Sequence, residues 1–294
     1  MLLDSLQNRS SIHWMETRTK PKPFIKWAGG KQSLCRRLID HFPHTIDRFI
    51  EPFIGGGSIF FSLLHKRSIL GDANGWLIDT YVAVRADWKE VAKILDTLPN
   101  TKEDFLRIRK VLPDTLGLFD RAAHFIYLNK TCFRGLFRVN RRNQFNVPYG
   151  EYDRRYYDPE NLAAVSSALQ NVEIRKGDFE LCLHDVSNKD FVYFDPPYYK
   201  LGGHSDFNRY TPFKFREHDH IRLASVCREL DERGIRWAVS NSNTPFVKSL
   251  YAGYGMRQLT NRREINLNSK ARSIVELLIV NYRESRDLFS MLVD

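Results

Sequence analysis

The sequence predicts an α/β protein built on a doubly wound, mostly parallel sheet. Three observations carry that expectation. A strand, a glycine turn, a helix and a second strand follow one another over residues 48–74. Strand-like runs resume near residue 171 and alternate with a clear helix. The stretch between them is first helical and then rich in arginine and aromatics, so the sheet is interrupted by an insertion.

The elements follow in order. Residues 1–23 are polar and basic, end in KPKP, and read as a flexible tail. From Phe24, FIKWAGGKQSLCRRLIDHF gives a short apolar entry and a Gly-Gly turn. Leu34, Leu38, Ile39 and Phe42 then recur at helical spacing, and Pro43 ends that helix. RFIEPFIGGGSIFFSLL places a strand at Arg48–Glu51, a glycine turn and a helix, and RSILGDAN is a short strand with an acidic end. From Gly75 to about Leu128 the pattern is mostly helical. Residues 129–157 are dense in Arg, Asn and aromatic side chains and show no sustained period. NVEIRKGD, DFVYFDPPYY, IRWAVSNS and SIVELLIVNY then read as strands, and REHDHIRLASVCRELDERG as a helix closed by Gly234. The expected division is a catalytic domain of residues 24–74 and 160–284, an insertion at 75–159, and a C-terminal tail at 285–294.

Composition narrows the function classes. With 43% hydrophobic residues in 294, the chain can bury a sizeable core, which excludes wholesale disorder. No run approaches the ~18 apolar residues of a membrane span, and the N-terminus has no signal-peptide core, so a cytoplasmic protein is expected. Cys35, Cys132, Cys182 and Cys227 lie far apart with no CxxC pair, so neither a disulfide framework nor a metal site is expected. The net charge of +10 suits a polyanionic partner.

Two motifs carry chemistry. In Glu51-Pro52-Phe53-Ile54-Gly55-Gly56-Gly57-Ser58, glycines at a strand-to-helix turn allow close approach of a ligand, although an ordinary glycine turn has the same composition. Asp72 ends the next strand 17 residues after Gly55, near the offset at which an acid meets ribose hydroxyls. No lysine follows the glycines, which disfavours a phosphate loop. In Asp195-Pro196-Pro197-Tyr198, two prolines stiffen the chain after an apolar strand and fix Asp195 and the Pro196 carbonyl as two acceptors. Two acceptors beside the Tyr198 ring suit the –NH2 of a planar base. The alternative is a proline-rich strand exit with an N-capping Asp.

FIKWAGGK, EPFIGGGSIF, GDAN, LNKTCFRGLFRVN, FNVPYG and DPPY occur in an order that resembles the Dam-type (D12 class, alpha-group) DNA adenine-N6 methyltransferases, from about Phe24 to Tyr282. DPPY alone is shared with cytosine-N4 and some glutamine methyltransferases. The resemblance implies a seven-stranded, Rossmann-like sheet with an inserted helical target-recognition domain, S-adenosylmethionine as cofactor, and double-stranded DNA as partner. It also implies a bacterial or phage setting, in which a cognate restriction endonuclease, where there is one, acts independently.

Residue by residue, the resemblance implies a cofactor site of Trp27, Lys31, Phe53, Gly55, Gly57, Asp72, Asp178, Phe179 and Asp195. Trp27 would be an apolar wall near the sulfonium, Lys31 a partner of the cofactor carboxylate, and Asp72 the ribose ligand. Without the resemblance, Trp27 and Lys31 read as a buried aromatic and a solvated lysine, and Asp178 as a turn residue. Asp195, Pro196, Pro197 and Tyr198 would be catalytic. Lys26, Phe133, Arg134, Leu136, Arg138, Asn140, Arg141, Arg142, Pro148 and Tyr149 would face DNA. Phe133 would enter the base stack, Arg138 would read a guanine, and Pro148 would meet a thymine methyl. Any one of these arginines also reads as a phosphate contact or a solvated charge. Arg134 stands where methylases of GATC often carry Asn, which leaves the target sequence open. Phe207-Asn208-Arg209-Tyr210, with Thr211 and Phe213, reads as a loop over the flipped base or as a plain surface loop. Ser240-Asn241-Ser242-Asn243 ends a later strand at the same edge of the sheet, or reads more simply as a turn. The expected activity is direct methyl transfer to adenine N6. The alternatives are a cytosine-N4 or RNA adenine methyltransferase, or a non-catalytic DNA-binding subunit.

Overall fold

The computed structural model describes residues 19–140, 142–199, 215–262 and 273–283. Seven strands form one sheet: β1 (Phe49–Glu51), β2 (Ser68–Asp72), β3 (Val172–Lys176), β4 (Phe191–Phe194), β5 (Arg236–Ser242), β6 (Gly255–Arg262) and β7 (Ser273–Val280). Their order is β3-β2-β1-β4-β5-β7-β6. The first five strands pair in parallel, and β7 runs antiparallel to both β5 and β6. The predicted mixed α/β sheet is therefore present, with seven strands.

Helices explain the apolar runs. β1 and β4 are buried at every residue, because both faces of the sheet are covered. Ile50, Val192, Phe194 and Val239 join α7 (Glu217–Glu232) and α8 (Pro245–Leu250) in one core cluster. Phe49, Phe191, Tyr193 and Ala238 join the other face with α1 (Cys35–Ile39) and with Ile59 of α2 (Ser58–Leu63). Gly234, at φ +68°, closes α7 as expected.

Between β2 and β3 the chain forms α3 (Gly75–Asp96), α4 (Lys102–Ile108) and α5 (Leu118–Thr131), and α6 (Pro159–Leu169) leads back to β3. Asn74 caps α3 by accepting the Leu77 N–H at 3.1 Å. α3 packs against α5 and α6 and also against β2 and β3. One hydrophobic cluster therefore runs from Phe24 through Leu70, α3 and α5 to Val172.

Three local readings change. α1 is only five residues long, because His41 and Phe42 bond back three residues to Leu38 and Ile39, at 3.0 Å each, and tighten the chain before Pro43. Residues 132–149 do have a period. Antiparallel bridges join Cys132 to Tyr149 and Val139 to Phe145. Phe137, Val139, Phe145 and Val147 are buried on alternate positions of this hairpin. Residues Ser240–Ser242 belong to β5 itself and are not a turn.

Candidate functional site

The sheet order reverses between β1 and β4, and ligands bind in the crevice beyond such a reversal. Two loops leave the strands there.

The loop after β1 carries the glycines. Gly55 and Gly57 have φ of +47° and +71°, where side chains are strained. Space forbids side chains too: a Cβ on Gly55 would lie 2.5 Å from Trp27 Cδ1, and one on Gly57 2.7 Å from Tyr81 Oη. Tyr81 Oη donates to the Gly55 carbonyl at 3.0 Å. Asp72 accepts the Gly55 N–H at 3.1 Å and the Asn74 N–H at 2.8 Å. Burial pushes the Asp72 carboxyl up to about 6 in spite of these donors. Phe53 stacks on Phe179 at 5.4 Å. Asp178 caps the turn after β3 and holds Arg222 through both oxygens, at 2.7 and 3.0 Å. Burial raises the Asp178 carboxyl, but Arg222 and the Glu180 N–H outweigh it and leave the group below its ordinary value. The Arg222 guanidinium lies 4.5 Å from the centre of the Phe179 ring.

The loop after β4 carries Asp195, Pro196, Pro197 and Tyr198. Lys31 Nζ lies 2.8 Å from Asp195 Oδ2, with the lysine side chain only 4% exposed. The same Nζ donates to the Gly29 carbonyl at 2.8 Å and sits 4.6 Å from the Tyr198 ring centre. Lys31 is thus not solvated; it is the cation beside Asp195. Ser240 Oγ donates to Asp195 Oδ1 at 2.7 Å, and Tyr198 Oη donates to Glu276 Oε2 at 2.7 Å. Burial raises the Asp195 carboxyl above its ordinary value, although Lys31 and Ser240 act against the rise. Glu51, at the end of β1, is 2% exposed, and burial pushes its carboxyl well up.

Glu51, Ser240 and Glu276 were not among the expected site residues. Glu51 had one signal: an acid ending an otherwise apolar strand. Ser240 had its place at the end of a strand on the same edge of the sheet, and it meets Asp195 because β5 pairs with β4. Glu276 had no signal, because it approaches Tyr198 only when β7 pairs with β5.

A third group surrounds the hairpin. Phe133 is 45% exposed and donates its backbone N–H to the Pro148 carbonyl at 2.8 Å. Phe133, Leu136, Arg138, Val147 and Pro148 line a cavity of about 240 Å³. Asn146 holds Arg138 from two sides, by its side-chain oxygen at 2.7 Å and its carbonyl at 3.1 Å. Arg134 has φ +58° and gives its N–H to Tyr152 Oη at 2.9 Å. Its guanidinium lies 5.0 Å from the Phe133 ring centre. Asparagine tolerates this left-handed backbone better than arginine, so the departure from Asn falls on a strained position. Lys26 exchanges two backbone hydrogen bonds with the Asn129 amide, at 2.7 and 2.8 Å, and its Nζ lies 5.2 Å from the Tyr152 ring centre.

Two expected DNA-facing side chains turn elsewhere. Asn140 accepts the Arg142 and Gln144 N–H groups at 2.8 and 3.1 Å and so shapes the hairpin tip. Tyr149 donates to the Asn100 carbonyl at 3.0 Å and packs on Phe105. Arg142 is exposed. Arg141 and the Phe207–Tyr210 segment, with Thr211 and Phe213, lie outside the described residues. Trp27 joins the groups: it touches the glycine loop and stacks on Phe137 at 5.5 Å.

A sheet of this order, with a glycine loop after β1 and DPPY after β4, defines a Rossmann-like methyltransferase. The family description D12 class N6 adenine-specific DNA methyltransferase matches residues 27–265, and the chain belongs to that family. It is 39% identical over 289 residues to the type II methyltransferase M.MjaIII of Methanocaldococcus jannaschii, covering 89% of this chain and 99% of that one. It is 35% identical over 271 residues to the type II methyltransferase M1.LlaDCHI of Lactococcus lactis, covering 89% and 95%. The DNA adenine methylase of Escherichia coli K12 is 31% identical over 268 residues, covering 90% and 96%. The chain is therefore an enzyme, a site-specific adenine DNA methyltransferase.

Proposed function

We propose that the enzyme transfers a methyl group from S-adenosylmethionine to N6 of an adenine flipped out of duplex DNA, with Asp195 and the Pro196 carbonyl as the acceptors of the target amine. The observation that carries this reading is the meeting of Asp195, Lys31 and Tyr198 at the sheet's reversal point, beside the Gly55–Gly57 loop.

The residues fit the cofactor. Gly55 and Gly57 let the turn close tightly against Trp27 and Tyr81 at the crevice, and the buried Glu51 Oε2 has no hydrogen-bond partner among the described residues. A cationic or hydroxyl-bearing ligand supplies what that oxygen lacks. Trp27, Lys31, Phe53, Asp72, Asp178 and Phe179 would hold the cofactor, which supplies a methyl group on a sulfonium.

The chain's own part is orientation. Two acceptors take the two amine hydrogens, draw the nitrogen lone pair out of conjugation with the ring, and aim it at the electrophile. Tyr198 stacks on the base. Methylation leaves a positive charge on N6, which the adjacent Asp195 carboxylate stabilises until a proton is lost. Phe133 fills the gap in the duplex, and Leu136, Arg138 and Pro148 read the neighbouring base pairs. Lys26, Arg134, Arg141 and Arg142 contribute charge along the backbone.

Single-molecule sequencing of DNA from cells expressing only this methyltransferase tests the reading. N6-methyladenine in one recurring context is expected. N4-methylcytosine, or methylated RNA with unmodified DNA, would overturn it.

A further inference from the structure

Three successive residues at the end of β5 grip the loop that follows β4. Ser240 Oγ donates to Asp195 Oδ1 at 2.7 Å. Asn241 Oδ1 accepts the Tyr199 N–H at 3.2 Å, and Ser242 Oγ donates to the Tyr199 carbonyl at 2.6 Å. The first of these contacts has a continuation. Tyr193 Oη lies 2.8 Å from Ser240 Oγ. A serine hydroxyl has one hydrogen, and Ser240 gives it to Asp195, so the Tyr193 hydroxyl must donate to Ser240. The order is Tyr193 to Ser240 to Asp195. Tyr193 and Ser240 are 0% and 1% exposed, so solvent does not compete for these bonds.

We propose that Tyr193 and Ser240 are positioning residues for methyl transfer, locking the Asp195 carboxylate in the orientation that offers its acceptors to the target amine. The inference rests on the reading of Asp195 as the amine's acceptor. A carboxylate can turn about its Cβ–Cγ bond. Lys31 holds Oδ2 from one side and Ser240 holds Oδ1 from the other. With both oxygens engaged, rotation would break a charge-assisted hydrogen bond at each end.

The donor chain also favours the anion over the acid. Lys31 acts in the same sense. Glu276 from β7 opposes it. Glu51 from β1 carries a strongly raised carboxyl, and so does Tyr198 its phenol. Removing Ser240's donor raises the pH below which Asp195 is neutral.

The test is the single-turnover rate of methyl transfer against pH for the full chain with S-adenosylmethionine and duplex DNA. Asp195→Asn, Ser240→Ala, Ser240→Thr and Tyr193→Phe are compared with the parent. In Ser240→Ala the acid limb should move up by about one pH unit. Ser240→Thr keeps a hydroxyl and should return the limb toward the parent position. Tyr193→Phe keeps the ring and should move the limb in the same direction as Ser240→Ala, by less. A Ser240→Ala enzyme slowed by one factor at every pH, with its limb unmoved, overturns the proposal and leaves Ser240 a packing residue. Should Ser240→Ala not fold, Tyr193→Phe decides by the same criterion. Asp195→Asn separates the two readings: full activity there removes Asp195 from the chemistry, whatever Ser240 does.

Discussion

Lys31 Nζ and Asp195 Oδ2 stand 2.8 Å apart, although 163 residues separate them in the sequence. The pair ties the FIKWAGGK segment to the loop after β4. It places the lysine ammonium against the carboxylate that is proposed to accept the target amine. Burial works against that carboxylate's ionisation, and Lys31 works for it.

Asp195→Asn should therefore abolish methyl transfer while DNA binding persists. The substitution keeps the shape but makes one acceptor a donor. The loss should be on the order of 10²–10³ or more, as for other groups that act on charge in the transition state. Labelled-methyl incorporation and a gel-shift assay check the two halves. Activity at half the parent rate would remove Asp195 from its role.

Cofactor affinity should depend on Asp72. In the role proposed for it, its ionised form would accept ribose hydroxyls, and burial has raised its value to about 6. Affinity should be full above that pH and fall as pH drops through it, by up to about tenfold per unit. Calorimetric titration with S-adenosylmethionine across pH 5–8 reads the step. Asp72→Asn should bind more weakly and lose the step. An unchanged pH profile in that variant would place the ribose elsewhere.

Much of this was legible in the sequence, and the gaps have physical reasons. Six strands and α7 announced themselves by apolar runs or period. β6, GMRQLTNR, did not: it is an edge strand, and of its residues Leu259 is buried and Met256 partly so. The hairpin was concealed because its alternation, Phe137 and Val139 against Phe145 and Val147, is broken by a polar tip. Local motifs pointed to Asp195 and the glycine loop, whereas Lys31 stood out only through the resemblance. Ser240 and Glu276 reach the site through strand pairing 45 and 78 residues from their partners, which no local pattern encodes.

Phe133→Ala should impair base flipping more than DNA binding. The ring is exposed on the free protein, and in the duplex it would replace roughly one base's stacking, ~1–3 kcal/mol. 2-Aminopurine at the target position should fluoresce strongly with the parent enzyme and weakly with the variant. Equal fluorescence would assign the wedge to another side chain.

Arg138→Ala and Arg142→Ala should differ in kind. Asn146 orients Arg138 on the outward face of the hairpin, so its loss should relax one base position by ~1–3 kcal/mol. Arg142 is exposed at the tip, so its loss should weaken all sequences alike and lower the salt slope by about one. Rates on oligonucleotides varied one position at a time distinguish the two. A uniform slowing in Arg138→Ala would make it a backbone anchor and leave Arg134 as the next candidate.

Arg48→Ala should lower stability without touching the chemistry. Arg48 bonds Asp190 at 2.8 Å just before β1 and β4 begin, and the Asp190 side chain is fully buried. Removing the cation leaves that buried carboxylate with only the two Ser187 donors, at a cost of about 3 kcal/mol. Burial raises the Asp190 carboxyl, but Arg48 and Ser187 together outweigh it and hold the group below its ordinary value, so the contribution is present above pH ~4 and lost as pH falls further. Thermal melts at pH 7 and pH 3 should therefore show a larger gap between parent and variant at pH 7. An equal gap at both would refute the assignment.

The hydrophobic cluster that runs unbroken from Phe24 to Val172 bears on how new specificities can arise in this chain. A chimaera that exchanged residues 75–159 whole would cut through packing shared by Leu70, Trp76, Phe125 and Phe137, and Trp27 would lose its stacking partners. Residues 75–159 are therefore not a separable cassette. What can vary freely is smaller: the outward positions Phe133, Leu136, Arg138 and Pro148, mounted on a hairpin whose inward neighbours stay fixed. With these side chains facing DNA as proposed, drift in target choice would be confined to a few positions, each of which can change without disturbing the core beneath it.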